Sequence, residues 1–402
     1  MKSFTSLVLA LIVTITATAG EIKFVKDLTW SQIKAKAARE NKMIFFDAYA
    51  TWCGPCKYLE EDIYTNDKVA AYYNANYINV KFDMEDGEGV QLAKEFAIKA
   101  YPTLLFFSPQ GKIVHKSVGA LEAAPFINLG KDAQNPLKQY YSLKAKARSN
   151  SLSDADFATW AALAEKLDDT DKASIIATYL QSKTDLLANA AIAKIVLNYT
   201  DRLTNNQLAY LYGNQPKIAQ LMQWNEDKVS TVLFGILFRE ALSVYDESKN
   251  NLDSFSNYIK KYDPKKEDYA VKDLLLRIAL FIDKDASKST SLILSYLDDP
   301  KKPVSIEAIA GWLMDYASSF EKEHFQLIAD HLTSFKIRVI DQDKEYWLWL
   351  MQMFCYGKTG NEEQAKVFAK KAFQHPRLPL EYKTVLKENF ELSDEAITGA
   401  KK

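Results

Sequence analysis

Trp52-Cys53-Gly54-Pro55-Cys56 constrains this chain more than any other stretch. Two thiols separated by two residues come within bonding distance when a helix starts at the first of them. Cys53 then lies at the positive N-terminal end of that helix, where unpaired backbone N–H groups stabilise its thiolate, the nucleophilic form. Cys56 lies one turn inside; it is expected to be the more buried of the two and to need a base before it attacks. One sulfur that attacks and one that resolves is what a dithiol catalyst requires. The same spacing serves structural disulfides and forms half of some zinc sites. The chain has only three cysteines and no second pair at this spacing, and His115 is the only histidine before residue 135. No metal is therefore expected, and redox catalysis leads over a structural disulfide because of the company the pair keeps in Trp52, Asp47 and Pro102.

Outside the pair, the chain divides in two. Residues 1–19 have the layout of a signal peptide: the basic start Met1-Lys2-Ser3, an apolar run from Leu7 to Ile15 broken only by Thr14, and the small residues Ala17-Thr18-Ala19. Export to a bacterial periplasm is the first expectation and secretion the second, with an uncleaved anchor as the alternative to cleavage. Either destination permits disulfides to form and persist. No later apolar run reaches membrane length, so no membrane span is expected in the mature chain. Lys+Arg and Asp+Glu number 51 and 52 for a net charge of −1, which gives no footing for nucleic acid. Seven of the thirteen glycines precede residue 135. This fits a turn-rich α/β domain over 20–135 and an all-α domain over 136–402.

In the first domain the patterning predicts helices over 28–40, 56–64, from Asn66 or Asp67 to 74, over 90–96 and from near Glu122. Strands are predicted over 43–49 and 77–82, with a hairpin of 103–107 and 112–118 across Ser108-Pro109-Gln110-Gly111. The order αβαβαββα predicts a central mixed sheet with helices on both faces. After Asn135-Pro136 the pattern is helix upon helix. Trp349, Met353, Tyr356, Gly360, Ala365, Ala369, Ala372 and Pro376 fall near the spacing of a tetratricopeptide repeat. Gln352 and Ala369 stand where that repeat has its leucine and an aromatic residue. The region reads as a helical array resembling degenerate repeats, with an ordinary helical bundle as the alternative.

Over residues 20 to about 135 the chain resembles the thioredoxin superfamily. Besides the five-residue motif, Asp47 sits six residues before Cys53 at the end of the apolar Ile44-Phe45-Phe46, where the family has its buried acid. The resemblance implies that Asp47 serves, directly or through water, as base for the resolving Cys56. Tyr101-Pro102-Thr103 matches the family's cis-proline loop, and Gly119 the glycine after the last strand. By the same resemblance Trp52, Tyr101, Pro102 and Thr103 present the backbone of a bound peptide. Lys57-Tyr58-Leu59-Glu60 and Tyr64-Thr65-Asn66-Asp67-Lys68-Val69 are similar to the soluble C-terminal domain of bacterial transmembrane thiol:disulfide interchange reductases. Gly-Pro between the cysteines is the thioredoxin pair, and the absence of histidine there favours a reductant. The chain departs from the family at Asn79, where many thioredoxins place a lysine beside the buried acid; Lys81 lies two residues on.

The implied activity is that of an exported thiol–disulfide oxidoreductase that reduces or isomerises protein disulfides. It needs no cofactor beyond the dithiol, acts on disulfide-containing proteins and draws electrons from an upstream membrane thiol donor. A second reading makes the helical array a client-binding or chaperone-like surface, with a protein partner of its own and the thioredoxin-like domain as an accessory. Cys355 is expected to be a buried, inert thiol. His324 and His331 lack a completing metal ligand, and the acidic run Asp83, Glu85, Asp86 and Glu88 reads as a solvated loop.

Overall fold

In a computed structural model, which describes residues 20–300, 304–337, 341, 344–390 and 392, the chain folds into two compact units divided between Val232 and Leu233. The expected signal peptide lies outside the described residues. The first unit opens with helix α1 (Trp30–Glu40), strand β1 (Met43–Tyr49) and helix α2 (Gly54–Tyr58), which runs on as a π-helical turn over Leu59–Ile63. Helix α3 (Asp67–Asn76), β2 (Tyr77–Asp83), α4 (Gly89–Glu95), the hairpin β3 (Thr103–Phe107) and β4 (Ile113–Val118), and α5 (Ala123–Gln134) complete the α/β part. The sheet order is β2-β1-β3-β4, with β1 and β2 parallel and the other neighbours antiparallel, so the sheet is mixed as expected.

Local chemistry sets the boundaries. Thr29, rather than Leu28, opens α1, because its hydroxyl accepts the Gln32 N–H in a reciprocal capping box. Asn66 is the cap of α3; its Oδ1 accepts the N–H groups of Lys68 and Val69. Gly111, at φ 76°, closes the hairpin by donating its N–H to Ser108 O at 2.8 Å. That left-handed conformation favours glycine.

Side chains alternate across a strand, so β1 serves two cores at once. Ile44, Phe46 and Ala48 pack with Trp30, Ile33 and Ala37 of α1 and Leu92 of α4. Phe45 faces the other way, into Leu59, Ile63, Tyr64, Tyr73 and Phe126 from the π turn, α3 and α5. Asp47 shares the parity of Phe45 and therefore points to the face covered by the helix that follows the cysteines.

The chain continues into α6 (Tyr140–Arg148), which packs on β4. The Tyr140 N–H donates to His115 Nδ1 at 2.9 Å, and the Gln139 side-chain amide donates to Ala133 O at 2.8 Å. Lys144 pairs with Asp169 at 2.6 Å, and the Tyr140 hydroxyl bonds the same carboxylate. The helices that directly follow the α/β part thus belong to its compact unit.

The second unit is helical throughout its described length. Trp312, Leu313, Ile328, Met351, Cys355 and Ala369 are among its core residues. The residues at repeat-like spacing form two helices, Tyr346–Thr359 and Glu362–Phe373, joined at Gly360 (φ 80°). Ala365, Ala369 and Ala372 are buried, and Tyr356 stacks on Phe368 at 5.6 Å.

Candidate functional site

Cys53 ends the loop after β1 and caps α2. Its N–H donates to Ala50 O at 3.1 Å, and its Sγ accepts the backbone N–H of Cys56 at 3.2 Å. A sulfur in that position is the one whose anionic form the helix end favours. Pro55 fits the first turn because a residue there needs no N–H partner. Cys53 and Cys56 form a disulfide with their Cα atoms 5.3 Å apart. The expected difference in burial is not found: Cys53 is 3% exposed and Cys56 6%. Tyr49 and Tyr101 pack against the pair and shield the first sulfur as well as the second. Beside them Trp52 is 67% exposed, a large apolar surface next to the sulfurs.

Trp52 is held rather than loose. Its indole N–H donates to Glu85 Oε2 at 2.8 Å, and its ring meets Tyr101 edge-on at 5.9 Å. The Tyr101–Pro102 bond is cis, and Pro102 O accepts the Gly119 N–H at 2.9 Å, so the loop and the glycine after β4 are joined. Thr103 is buried, with its hydroxyl donating to Ala100 O at 2.7 Å. Its side chain therefore braces the loop from below.

Asp47 is 2% exposed, and burial pushes its carboxyl up from 3.8 to about 6. The Tyr64 hydroxyl, which donates to Asp47 Oδ2 at 2.8 Å, and the more distant Lys81 pull in the opposite direction. Asp47 Oδ1 is buried with no hydrogen-bond partner. The register pairs Asp47 directly with Lys81 on β2, so Lys81 and not Asn79 is its neighbour across the strands. Lys81 Nζ lies 2.9 Å from Glu60 and 4.5 Å from the centre of the Tyr49 ring. Asn79 is buried beside Phe45 and donates to Asn74 Oδ1.

Sequence reasoning missed two residues here. Tyr64 reaches Asp47 from the end of a π turn, and no residue pattern announces that turn. Glu85 belongs to an acidic run read as merely solvated. In fact Glu85 holds Trp52, while Glu88 accepts the Trp30 N–H at 3.0 Å at the start of α1. The useful signal was an acid one strand away from an exposed tryptophan. Among the described residues no group of three or more His, Cys, Asp or Glu side chains is placed to hold a metal ion.

Comparison with known proteins points the same way. A family described as a thioredoxin-like domain matches residues 28–134. The chain is 36% identical over 91 residues to thioredoxin H4 of Arabidopsis thaliana, which covers 23% of this chain and 71% of that protein. It is 37% identical over 86 residues to the chloroplastic thioredoxin-like protein CITRX of Oryza sativa subsp. indica, covering 21% of this chain and 43% of the relative. To the thiol:disulfide interchange protein DsbD of Actinobacillus pleuropneumoniae it is 34% identical over 95 residues, 23% of this chain and 16% of that one. The chain thus spans less than half the length of the last two. Among solved structures, that of a putative disulphide-isomerase from Bacteroides thetaiotaomicron is 39% identical, covers 30% of this chain and 98% of its own, and has a TM-score of 0.27.

Proposed function

Because the chain belongs to the thioredoxin family, we propose that it is an exported thiol–disulfide oxidoreductase that reduces or isomerises disulfides in protein substrates. The observation that carries this reading is the Cys53–Cys56 disulfide at a helix start, with the buried Asp47 on the strand leading to it and the Trp52–Tyr101 pair alongside. In the reductive direction the Cys53 thiolate attacks a substrate disulfide and forms a mixed disulfide. Cys56 gives its proton to Asp47, directly or through water, attacks Cys53 Sγ, and the substrate leaves with both its sulfurs reduced. Trp52, Tyr101 and the Pro102 loop present the substrate backbone; the exposed indole offers the apolar contact.

The reductive direction is supported by Gly-Pro between the cysteines, and export by the layout of residues 1–19. A reductant outside the cytoplasm requires an electron source, for which a membrane thiol donor is the proposed partner. The repeat-like helices of the second unit are proposed to select the client. The first test is trapping. Cys56→Ser protein should accumulate mixed disulfides on Cys53, and capture of no partner from a disulfide-rich periplasmic extract would defeat the mechanism. The reduction potential then sets direction: about −270 mV supports a reductase, and a value above about −180 mV an isomerase or oxidase.

A further inference from the structure

We propose that Tyr64 is a positioning residue for Asp47: its hydroxyl occupies Oδ2 and thereby leaves Oδ1 as the atom that takes the proton of Cys56. This assignment deepens the oxidoreductase reading above and rests on it. It begins with the backbone. The Tyr64 N–H donates to Leu59 O, five residues back, at 2.8 Å, which closes the π turn over Leu59–Ile63. A π turn inserts one residue into a helix, and one residue corresponds to about 100° of rotation. Tyr64, directly after the turn, therefore faces a direction that an unbroken α-helix would not give it. Such turns recur at functional sites.

Tyr64 is then fixed on every side. It is 3% exposed, its carbonyl accepts the Ile22 N–H at 2.8 Å, and its ring packs on Phe24 at 5.1 Å, Phe126 at 5.7 Å and Phe45 at 6.4 Å. Only the hydroxyl is left to interact with polar groups, and it lies 2.8 Å from Asp47 Oδ2. The other charged and titratable groups around Asp47 are Lys81 from β2, Glu60 from the π turn, paired with Lys81, and Tyr49 from β1 itself. Among the described residues, Tyr64 alone hydrogen-bonds the carboxylate.

The two carboxylate oxygens are therefore not equivalent. The one that accepts a hydrogen bond is the weaker base, and the unpartnered Oδ1 is the stronger. During resolution the Cys56 thiol proton goes to Oδ1 and a bond forms between Cys56 Sγ and Cys53 Sγ. The bond from Cys53 to the substrate sulfur breaks, and its electron pair leaves with the substrate as a thiolate. The cysteine pair ends oxidised and the substrate reduced. The Tyr64 hydroxyl also stabilises the carboxylate form, so that the base is available at lower pH than burial alone would allow.

The test uses the full chain with a fluorescent thiol in mixed disulfide linkage to Cys53, formed in acid and released by a pH jump in a stopped-flow instrument. Tyr64→Phe keeps the ring and removes the hydroxyl. Release at pH values below the wild-type midpoint should slow by about tenfold, equivalent to ~1.4 kcal/mol, with little change well above it. The slowing should vanish when Asp47→Asn is already present, because Tyr64 acts only through that carboxyl. A second readout needs no turnover: the ¹³C resonance of the Asp47 carboxyl in the oxidised protein should titrate at higher pH in Tyr64→Phe. An unchanged titration, or equal slowing at all pH values or in the Asp47→Asn background, overturns the assignment. If the wild-type protein releases no thiol while the carboxyl titration moves as expected, the oxidoreductase reading fails, and the positioning role in catalysis with it.

Discussion

Replacing Asp47 by asparagine should change how the stability of the first unit depends on pH, in a direction opposite to that of most carboxylates. The fold holds this carboxyl at about 6 against an ordinary 3.8, because burial removes water from the charge. Between those values the folded protein keeps a proton that the unfolded chain has released. Stability therefore falls as pH rises through the window and stays reduced above it. At 1.36 kcal/mol for each tenfold in proton affinity, ionised Asp47 costs the folded state ~3 kcal/mol. Asparagine keeps an oxygen for the Tyr64 hydroxyl and puts an uncharged amide where Oδ1 has no partner. That amide adds an offset of about 1–3 kcal/mol, but one that does not vary with pH. The quantity to follow is the stability of the variant minus that of the wild type at each pH, in which all other titrations cancel. Urea unfolding of the oxidised proteins, read by pulsed hydrogen exchange of the peptide that carries Phe45 and Phe46, isolates the sheet. The difference should grow by ~2–3 kcal/mol in favour of the variant between about pH 3.5 and 7.5. A difference constant to within ~0.5 kcal/mol over that range would mean that burial does not hold the carboxyl up, and the reasoning would fail.

Three other outcomes are expected from the same structure. Glu85→Ala removes the acceptor that holds the Trp52 indole and should raise KM for a disulfide peptide by about threefold or more while kcat stays near wild type; an unchanged KM would remove Trp52 orientation from substrate binding. Burial holds the His115 imidazole down at about 4, so the folded state resists a proton that the unfolded chain accepts below its ordinary 6.5. The His115 contribution should fall by up to ~3 kcal/mol as pH falls from 6.5 through about 4, against the opposite contribution of Asp47, so the stability of the wild type minus that of His115→Gln should drop by that amount in the same exchange measurement; a difference independent of pH would refute it. Cys355 is fully buried and its thiol is pushed up to about 12, so alkylation of the reduced native protein near pH 8 should label Cys53 and spare Cys355 until urea is added. Mass spectrometry after digestion reads this directly, and native labelling of Cys355 as fast as Cys53 would refute it.

The parts of the site that were legible in the sequence are those set by local spacing. Trp52 to Cys56 specify a helix start, Ile44-Phe45-Phe46-Asp47 a strand buried on both faces with an acid at its end, and Ser108 to Gly111 a turn that one glycine completes. Strand parity even places Asp47 under the helix after the cysteines. What the sequence did not disclose depends on side chains meeting across the fold. The π turn before Tyr64 has no compositional mark, since the extra residue is accommodated by packing on Phe24, Phe45 and Phe126. The choice of Lys81 over Asn79 comes from strand register, which a single sequence does not display. The near-equal burial of Cys53 and Cys56 comes from Tyr49 and Tyr101, contributed by separate strands and loops.

The hydrogen bond from the Tyr140 N–H to His115 has a consequence for modularity. The family match ends at residue 134, yet β4, one of the two outer strands in the sheet order, finishes its packing against a helix that starts at Tyr140. In this chain the sheet is thus covered on that strand by residues beyond the family match. Cutting the chain after residue 135 would strip His115 of its donor and uncover a neutral imidazole built for a dry setting, on an outer strand open to pairing with a stray β-edge. A fragment carrying every cysteine-site residue would keep the chemistry and lose the cover over that outer strand, whereas one extended through the Lys144–Asp169 pair would retain both. The relatives carry the matched domain in other settings, as 71% of thioredoxin H4 and 16% of DsbD, so the cover over β4 belongs to the way this chain continues and not to the domain the family shares.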